Sequence, residues 1–281
     1  MPERVLKINL TVNQMIIEQT YRLLNEKYKS KLENLILSDI RIGLFLTAVR
    51  LSDNSYGTSA TLTDDYPHCT KSKRDFGDFT PFKMRGKKVS DLFETRKESN
   101  IILTIKIAVL NAISSGIISS GNYKILENCD PIELLDLNSQ KTITIVGAFH
   151  SYINKISETK SKLYVLELNP DALADDHKQF YIPAKDYKNI VPDSDIVIIT
   201  GLTLVNQTID GLLSAISNNT MVVVTGPSSS IIPDILFANK VNIIGASRIT
   251  KPEILFDIVS ETGTGYHLFE YCAQKISILK S

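Results

Sequence analysis

Apolar and polar positions change period along the chain, and the changes predict its elements. Over residues 11–28, Val12, Ile16, Leu24 and Tyr28 recur at helical spacing while Glu18, Arg22 and Glu26 fall on the other side, the pattern of an amphipathic helix. Short runs rich in apolar, Thr and Tyr residues follow at 34–38, 43–51 and 55–63, the last two joined by the turn residues Ser52 to Ser55. They predict a small antiparallel sheet. Residues 64–98 lose periodicity, carry Pro67, Gly77, Pro81 and Gly86, and read as a long loop. Residues 101–118 are almost wholly apolar, so this helix must be covered on most sides, between the small sheet and another layer.

Beyond Gly121 and the Asp130-Pro131 step the texture becomes short β-rich runs separated by helix-like segments, the signature of βαβ units around a mostly parallel sheet. The predicted strands are 142–146, 163–168, 196–200, 221–225 and 241–244, with 275–279 as an edge strand. The predicted helices are 151–157, 209–217, 233–238 and 252–259, the last opened by Thr250 and Glu253 at capping-box spacing. The fold class is α/β: a small α+β domain over 1–130, then a Rossmann-like, mostly parallel doubly wound domain over 131–281.

Composition narrows the function classes. With 43% hydrophobic and 22% charged residues among 281, disorder and fibrous structure are excluded. Lys plus Arg and Asp plus Glu are both 31, so the global basic footprint of a nucleic-acid binder is missing. The zero sum conceals a basic run: Lys71, Lys73, Arg74, Lys83, Arg85, Lys87 and Lys88 stand against Asp75 and Asp78 and interleave with Phe76, Phe79 and Phe82. Three readings of that run stay open: a solvated loop, a lid over a ligand, or a surface that stacks on bases and pairs phosphates. Cys69, Cys129 and Cys272 form no CxxC pair and read as isolated thiols of a reducing cytoplasm. The amino terminus has no apolar signal core, and Lys106, Asn111, Ser114, Ser115 and Gly116 interrupt 101–118 as in a buried helix, so no membrane association is expected.

In an open parallel sheet, ligands sit outside the carboxyl ends of the strands. Gly147, Ala148, Phe149 and His150 follow the first predicted strand, and Glu167 ends the second, twenty residues beyond Gly147, where a dinucleotide fold places its ribose-binding acid. The full G-x-G-x-x-G is absent, and Phe149 stands where close approach to a pyrophosphate needs glycine. A nucleoside without its pyrophosphate does not need the missing glycines. Thr200, Gly201, Thr203, Asn206 and Thr208 place a glycine, hydroxyls and an amide before a helix, with Thr208 as its N-cap. Gly226, Pro227, Ser228, Ser229 and Ser230 make a turn rich in donors suited to an anion, and Arg248 adds a cation able to pair a carboxylate substrate or a structural acid. His68, His150, His177 and His267 are far apart; His150, directly after a strand end, is the candidate metal ligand. No G-x-S-x-G elbow supports hydrolase chemistry.

Several segments together resemble the putative heavy-metal-chelation family, in which an enolase-N-terminal-like domain precedes a Rossmann-like one. The resemblance rests on 42–49, 56–61 and 108–114 in the first domain. In the second it rests on Asp130, 145–149, Glu167 to Pro170 with Asn169, 200–208 and 226–228. It implies a ligand site at the junction of the two domains and a role in heavy-metal metabolism, with Asn111 as the contribution of the first domain to the cleft. The chain departs from the family pattern in the basic loop and in His150.

The leading expectation is a cytoplasmic protein that binds a small polar or anionic ligand, a heavy-metal chelate or its precursor, between the domains. The rival is an enzyme with a nucleoside-type cofactor such as S-adenosylmethionine, Glu167 holding the ribose and Thr203 or Asn206 orienting the substrate. The third reading is an RNA- or protein-interaction module acting through the basic loop. A metal ion or a nucleoside-type cofactor, a small-molecule partner, and a homo-oligomer are compatible with the sequence; nucleic acid is disfavoured by the balanced charge.

Overall fold

The computed structural model describes residues 15–62 and 76–280. Helix α1 (Ile16–Leu32) buries Ile16, Leu23 and Leu24, kinks at Tyr28 and runs beyond its predicted end. Strands β1 (Leu37–Ile42), β2 (Leu46–Leu51) and β3 (Tyr56–Ala60) form the expected small antiparallel sheet in chain order. Of the stretch read as a loop, 63–75 lies outside the described residues, and with it His68, Cys69, Lys71, Lys73 and Arg74. The remainder carries helix α2 (Val89–Glu94) and departs from a free basic tip. Phe79 is fully buried and Phe76 packs on the core, leaving Phe82 exposed, while Arg85 pairs with Asp39 at 2.6 Å and Lys87 with Asp78 at 3.4 Å. Phe79 therefore fills the interior and cannot stack on bases, while Phe76 is partly covered.

Helix α3 (Asn100–Ser120) is capped by Ser99, whose hydroxyl accepts the Ile102 N–H at 3.1 Å. It lies against the small sheet so closely that a Cβ on Gly57 would stand 2.1 Å from the Ala108 carbonyl oxygen. Its other side meets the second half of the chain, where the Ser114 hydroxyl accepts the Ile232 N–H at 2.8 Å. The helix is long and apolar enough to cross a membrane, yet most of it is buried inside the protein.

The second half builds an eight-stranded sheet from β4 (Lys124–Glu127), β5 (Thr142–Val146), β6 (Lys162–Glu167), β7 (Tyr181–Pro183), β8 (Ile196–Thr200), β9 (Met221–Thr225), β10 (Ile243–Ile249) and β11 (Ala273–Leu279), in the order β4-β11-β10-β9-β8-β5-β6-β7. The six strands from β7 to β10 are parallel and take the doubly wound order, with its reversal between β5 and β8. Strands β11 and β4 extend it antiparallel. Pairing with β11 places 124–127 in the large sheet, a few residues before the division near 130 expected from the sequence.

The continuous apolar runs serve both faces. Val197 and Ile199 join the core shared with α1 and α3, whereas Ile196 and Ile198 face the opposite core with helix α4 (His150–Ser157). Helices α5 (Tyr187–Ile190), α6 (Leu202–Val205), α7 (Ile209–Ala215) and α8 (Pro233–Ala238) complete the connections. Helices α9 (Pro252–Ser260) and α10 (Gly265–Tyr271) reach back to cover β2 through Leu255, Val259 and Leu268. The small sheet is thus clasped between α3 and the second half of the chain.

Three expectations are corrected. Strand β10 begins at Ile243 and continues through Ser247 and Arg248, because pairing with β11 along its length carries it past the polar residues that seemed to end it. Strand β11 is interior, with β4 on the edge. Helix α9 has Lys251 at its N-cap without a side-chain bond; the capping box lies at Thr264 and His267, opening α10.

Candidate functional site

The residues singled out from the sequence separate into three clefts, all at the carboxyl side of the large sheet, with some of them in none.

The first cleft, about 360 Å³, lies between the two halves of the chain. Tyr56, Thr58, Asn111 and Ser115 form one wall, and Ser230, Ser247 and Arg248, after β9 and late in β10, form the other. Asn111 is 2% exposed. Its Nδ2 donates to the Thr58 carbonyl at 2.7 Å and to the Pro227 carbonyl at 3.2 Å, so the amide is bonded to both sides of the junction. Reversing the amide would set its oxygen against two carbonyl oxygens, so the orientation is dictated by the bonds. Oδ1 is consequently left buried without a partner among the described residues. A buried acceptor in that state calls for a donor from water or ligand. Arg248 contacts Glu127 at 2.6 Å and holds that carboxyl below its usual range, so Glu127 is a structural acid of the kind foreseen as its partner, while Arg248 still lines the cleft.

The serines expected to bind an anion also make bonds within the protein. Ser228 Oγ accepts the Ala60 N–H at 2.8 Å, the Ser229 hydroxyl donates to the Gly226 carbonyl at 2.6 Å, and Ser230 bonds Ser247. The turn therefore joins the two halves of the chain through Ser228.

The second cleft, about 340 Å³, sits at the reversal between β5 and β8 and gathers Gly147, Glu167, Thr200, Thr203, Asn206 and Thr208. Gly147 has φ +105°, a left-handed turn. Glu167 Oε1 accepts the N–H groups of Leu168 at 2.7 Å and Asn169 at 3.2 Å. Thr208 occupies the N-cap position of α7, but its hydroxyl donates to Asn206 Oδ1 at 2.7 Å and does not cap.

The third and largest, about 470 Å³, takes in Phe149, Gly226 and Pro227 beside Asp130, Tyr152 and Lys275. The Tyr152 hydroxyl donates to Asp130 Oδ1 and Lys275 reaches Asp130 Oδ2 at 2.7 Å. Burial first, and the Asp130 carboxylate second, push the Tyr152 hydroxyl well above its ordinary range. Tyr152 and Lys275 escaped the sequence reading because each lies far from Asp130 in the chain and neither sits in a recognisable motif.

His150, Asn169, Gly201, Ser228 and Ser229 line none of these clefts. Asn169 Oδ1 accepts the Asp171 N–H at 3.0 Å, and the Gly201 N–H donates to the Thr225 carbonyl at 2.8 Å. His150 Nδ1 faces Nδ1 of buried His177 at 3.1 Å, and His177 Nε2 lies 2.5 Å from Asn154 Oδ1. Among the described residues no group of three or more His, Cys, Asp or Glu side chains is placed to hold a metal ion.

Two family models, both described as putative heavy-metal chelation, match residues 25–114 and 130–278. The chain belongs to the putative heavy-metal-chelation family DUF364. The two matched stretches fall on the two halves that enclose the first cleft. An uncharacterised protein of Methanocaldococcus jannaschii is 25% identical over 249 residues, 86% of this chain and 88% of its own length. A DUF364 protein of unknown function from Pyrococcus horikoshii superposes with TM-score 0.74 at 22% identity, covering 94% of this chain and 98% of the other. Another, from Desulfitobacterium hafniense, gives TM-score 0.68 at 18% identity, covering 92% and 100%. These likenesses show the DUF364 fold, a large mostly parallel sheet with a small antiparallel one.

Proposed function

We propose that this DUF364 protein binds a small amino- or hydroxycarboxylate, free or as its metal chelate, in the cleft between the two halves of the chain. The observation that carries the reading is the buried Oδ1 of Asn111, fixed by two bonds through Nδ2 and without a donor among the described residues. An amine or hydroxyl of the ligand satisfies that oxygen. Arg248 at the opposite wall supplies positive charge for a carboxylate. Molecules that unite those groups are themselves chelators. Because the described residues do not assemble a set of metal ligands, the metal named in the family description would enter with its coordination shell already supplied by the bound molecule. Unpaired thiols at Cys129 and Cys272 support a reducing, cytoplasmic setting.

Thermal unfolding tests this with citrate and with histidine, each alone and with Ni²⁺ or Zn²⁺, against the bare ions. A ligand at a hundred times its Kd adds about 2.7 kcal/mol, a rise of about 5 °C for a chain of this size. Asn111→Ala and Arg248→Ala should lose the shift. No rise with any chelator or chelate, a rise with bare metal alone, or full response in both variants would overturn the proposal.

A further inference from the structure

The reversal between β5 and β8 holds a cleft that shares no lining residue with the one between the halves of the chain. We infer that it binds a purine nucleoside, with the ribose diol on Glu167, the base against Leu168, and no phosphate anchored by the protein.

Glu167 ends β6, and both backbone bonds go to Oε1, leaving the carboxylate oriented and Oε2 without a partner among the described residues. Among the described residues no cation is paired with it, although Lys185 lines the same cleft. A fixed carboxylate with one open oxygen is an acceptor for vicinal hydroxyls, and its place after the second parallel strand is where doubly wound folds receive ribose. The adjacent Leu168 lines the same cleft while 74% exposed. A large apolar side chain left uncovered beside a charged acceptor suits the face of a base. Asn206 uses Oδ1 on the N–H and hydroxyl of Thr208, so Nδ2 remains a donor without a partner among the described residues. The volume, about 340 Å³, lies within the range of small-molecule sites.

What is missing defines the class further. In dinucleotide folds, backbone N–H groups at the first turn hold the pyrophosphate. Here the Phe149 N–H turns back to the Gly147 carbonyl at 3.0 Å and the His150 N–H to the Ala148 carbonyl at 3.1 Å. The Phe149 ring stacks on Tyr152 with centroids 5.4 Å apart. The Phe149 and His150 N–H groups are thus spent on the turn itself and do not face a phosphate, which favours the nucleoside end alone.

Calorimetric titration of the full chain with adenosine, guanosine, 2′-deoxyadenosine and NAD⁺ tests the inference. At least one ribonucleoside should bind, with affinity about tenfold weaker for the deoxy analogue and for Glu167→Ala, the loss of one charge-assisted hydrogen bond. Glu167→Gln keeps an acceptor for the Leu168 and Asn169 N–H groups, so it separates lost binding from lost folding and should bind with reduced affinity. NAD⁺ should bind no more tightly than adenosine. Failure of both ribonucleosides at millimolar concentration, equal affinity for the deoxy analogue, unchanged affinity in the Glu167 variants, or much tighter NAD⁺ would each overturn it. None of these outcomes bears on chelate binding at Asn111.

Discussion

Asn111 in α3 and Pro227 after β9 are joined by an amide-to-carbonyl hydrogen bond of 3.2 Å that crosses between the two halves of the chain. A second bond from the same nitrogen, 2.7 Å to the Thr58 carbonyl, makes this side chain a structural link before it is a ligand contact.

Asn111→Ala should therefore destabilise the protein by about 1–3 kcal/mol, the cost of leaving buried carbonyls short of a donor. Asn111→Asp should cost more, because a carboxylate sets acceptor against acceptor. Urea denaturation at neutral pH measures both; an aspartate variant as stable as wild type would contradict the amide orientation.

Gly57 in β3, packed on α3, and Gly116 inside α3 make opposing predictions. Gly57→Ala places a methyl group 2.1 Å from the Ala108 oxygen and 2.3 Å from the Ala112 nitrogen, so β3 and α3 must part, at a cost above about 3 kcal/mol. Gly116→Ala, inside α3 with only the Lys31 ammonium at 3.7 Å, should stabilise by about 0.5–1 kcal/mol. Thermal melts of the two variants decide whether the glycines differ as the packing requires.

Asp234 ties α8 to α1 and to Tyr123, accepting from the Tyr123 hydroxyl at 2.6 Å and from Lys27 at 3.0 Å. Burial alone would raise its pKa, but the hydrogen bonds from Tyr123 and Lys27 outweigh it and hold the carboxyl below its ordinary value. A depressed carboxyl stabilises the fold above its unfolded pKa of about 3.9 and loses that contribution as pH falls through the folded value. The stability gap between wild type and Asp234→Asn should thus be full at pH 6 and shrink below about pH 4. A constant gap between pH 3 and 6 would remove the charge-assisted role.

Burial pushes the Cys272 thiol up to about 11. It should resist alkylation at pH 8 in the native protein and react once the chain is unfolded in urea. Peptide mapping by mass spectrometry locates the label, and rapid native modification at Cys272 would contradict its burial.

Much of the fold was legible in the sequence because its strands are doubly covered. Residues 142–146, 196–200 and 221–225 coincide with β5, β8 and β9, since an apolar run in a parallel sheet announces both buried faces at once. The all-apolar α3 announced its own covering in the same way. The elements that escaped were short or polar. Strand β7 spans only Tyr181–Pro183, and Ser247 and Arg248 lie in β10 because β11 pairs with them.

The candidate site was legible residue by residue and not as an arrangement. Strand-end position singled out Glu167, Asn206, Gly226 and Arg248, yet they divide among separate clefts. The hydroxyls of Ser228 and Ser229 were visible, but only their partners showed that Ser228 accepts from Ala60 while Ser229 donates to Gly226.

By itself, the sequence determined the α/β class, the small sheet, the buried helix, the doubly wound strands and the family, because periodicity and local residue order carry those. Tertiary structure alone decided that α9 and α10 clasp the small sheet, that Asn111 retains a buried acceptor without a donor among the described residues, and that the Phe149 and His150 N–H groups after β5 are consumed by the turn. Each of these depends on which groups meet across long chain separations, and a hydrogen bond already made removes a donor whose residue type still advertises it.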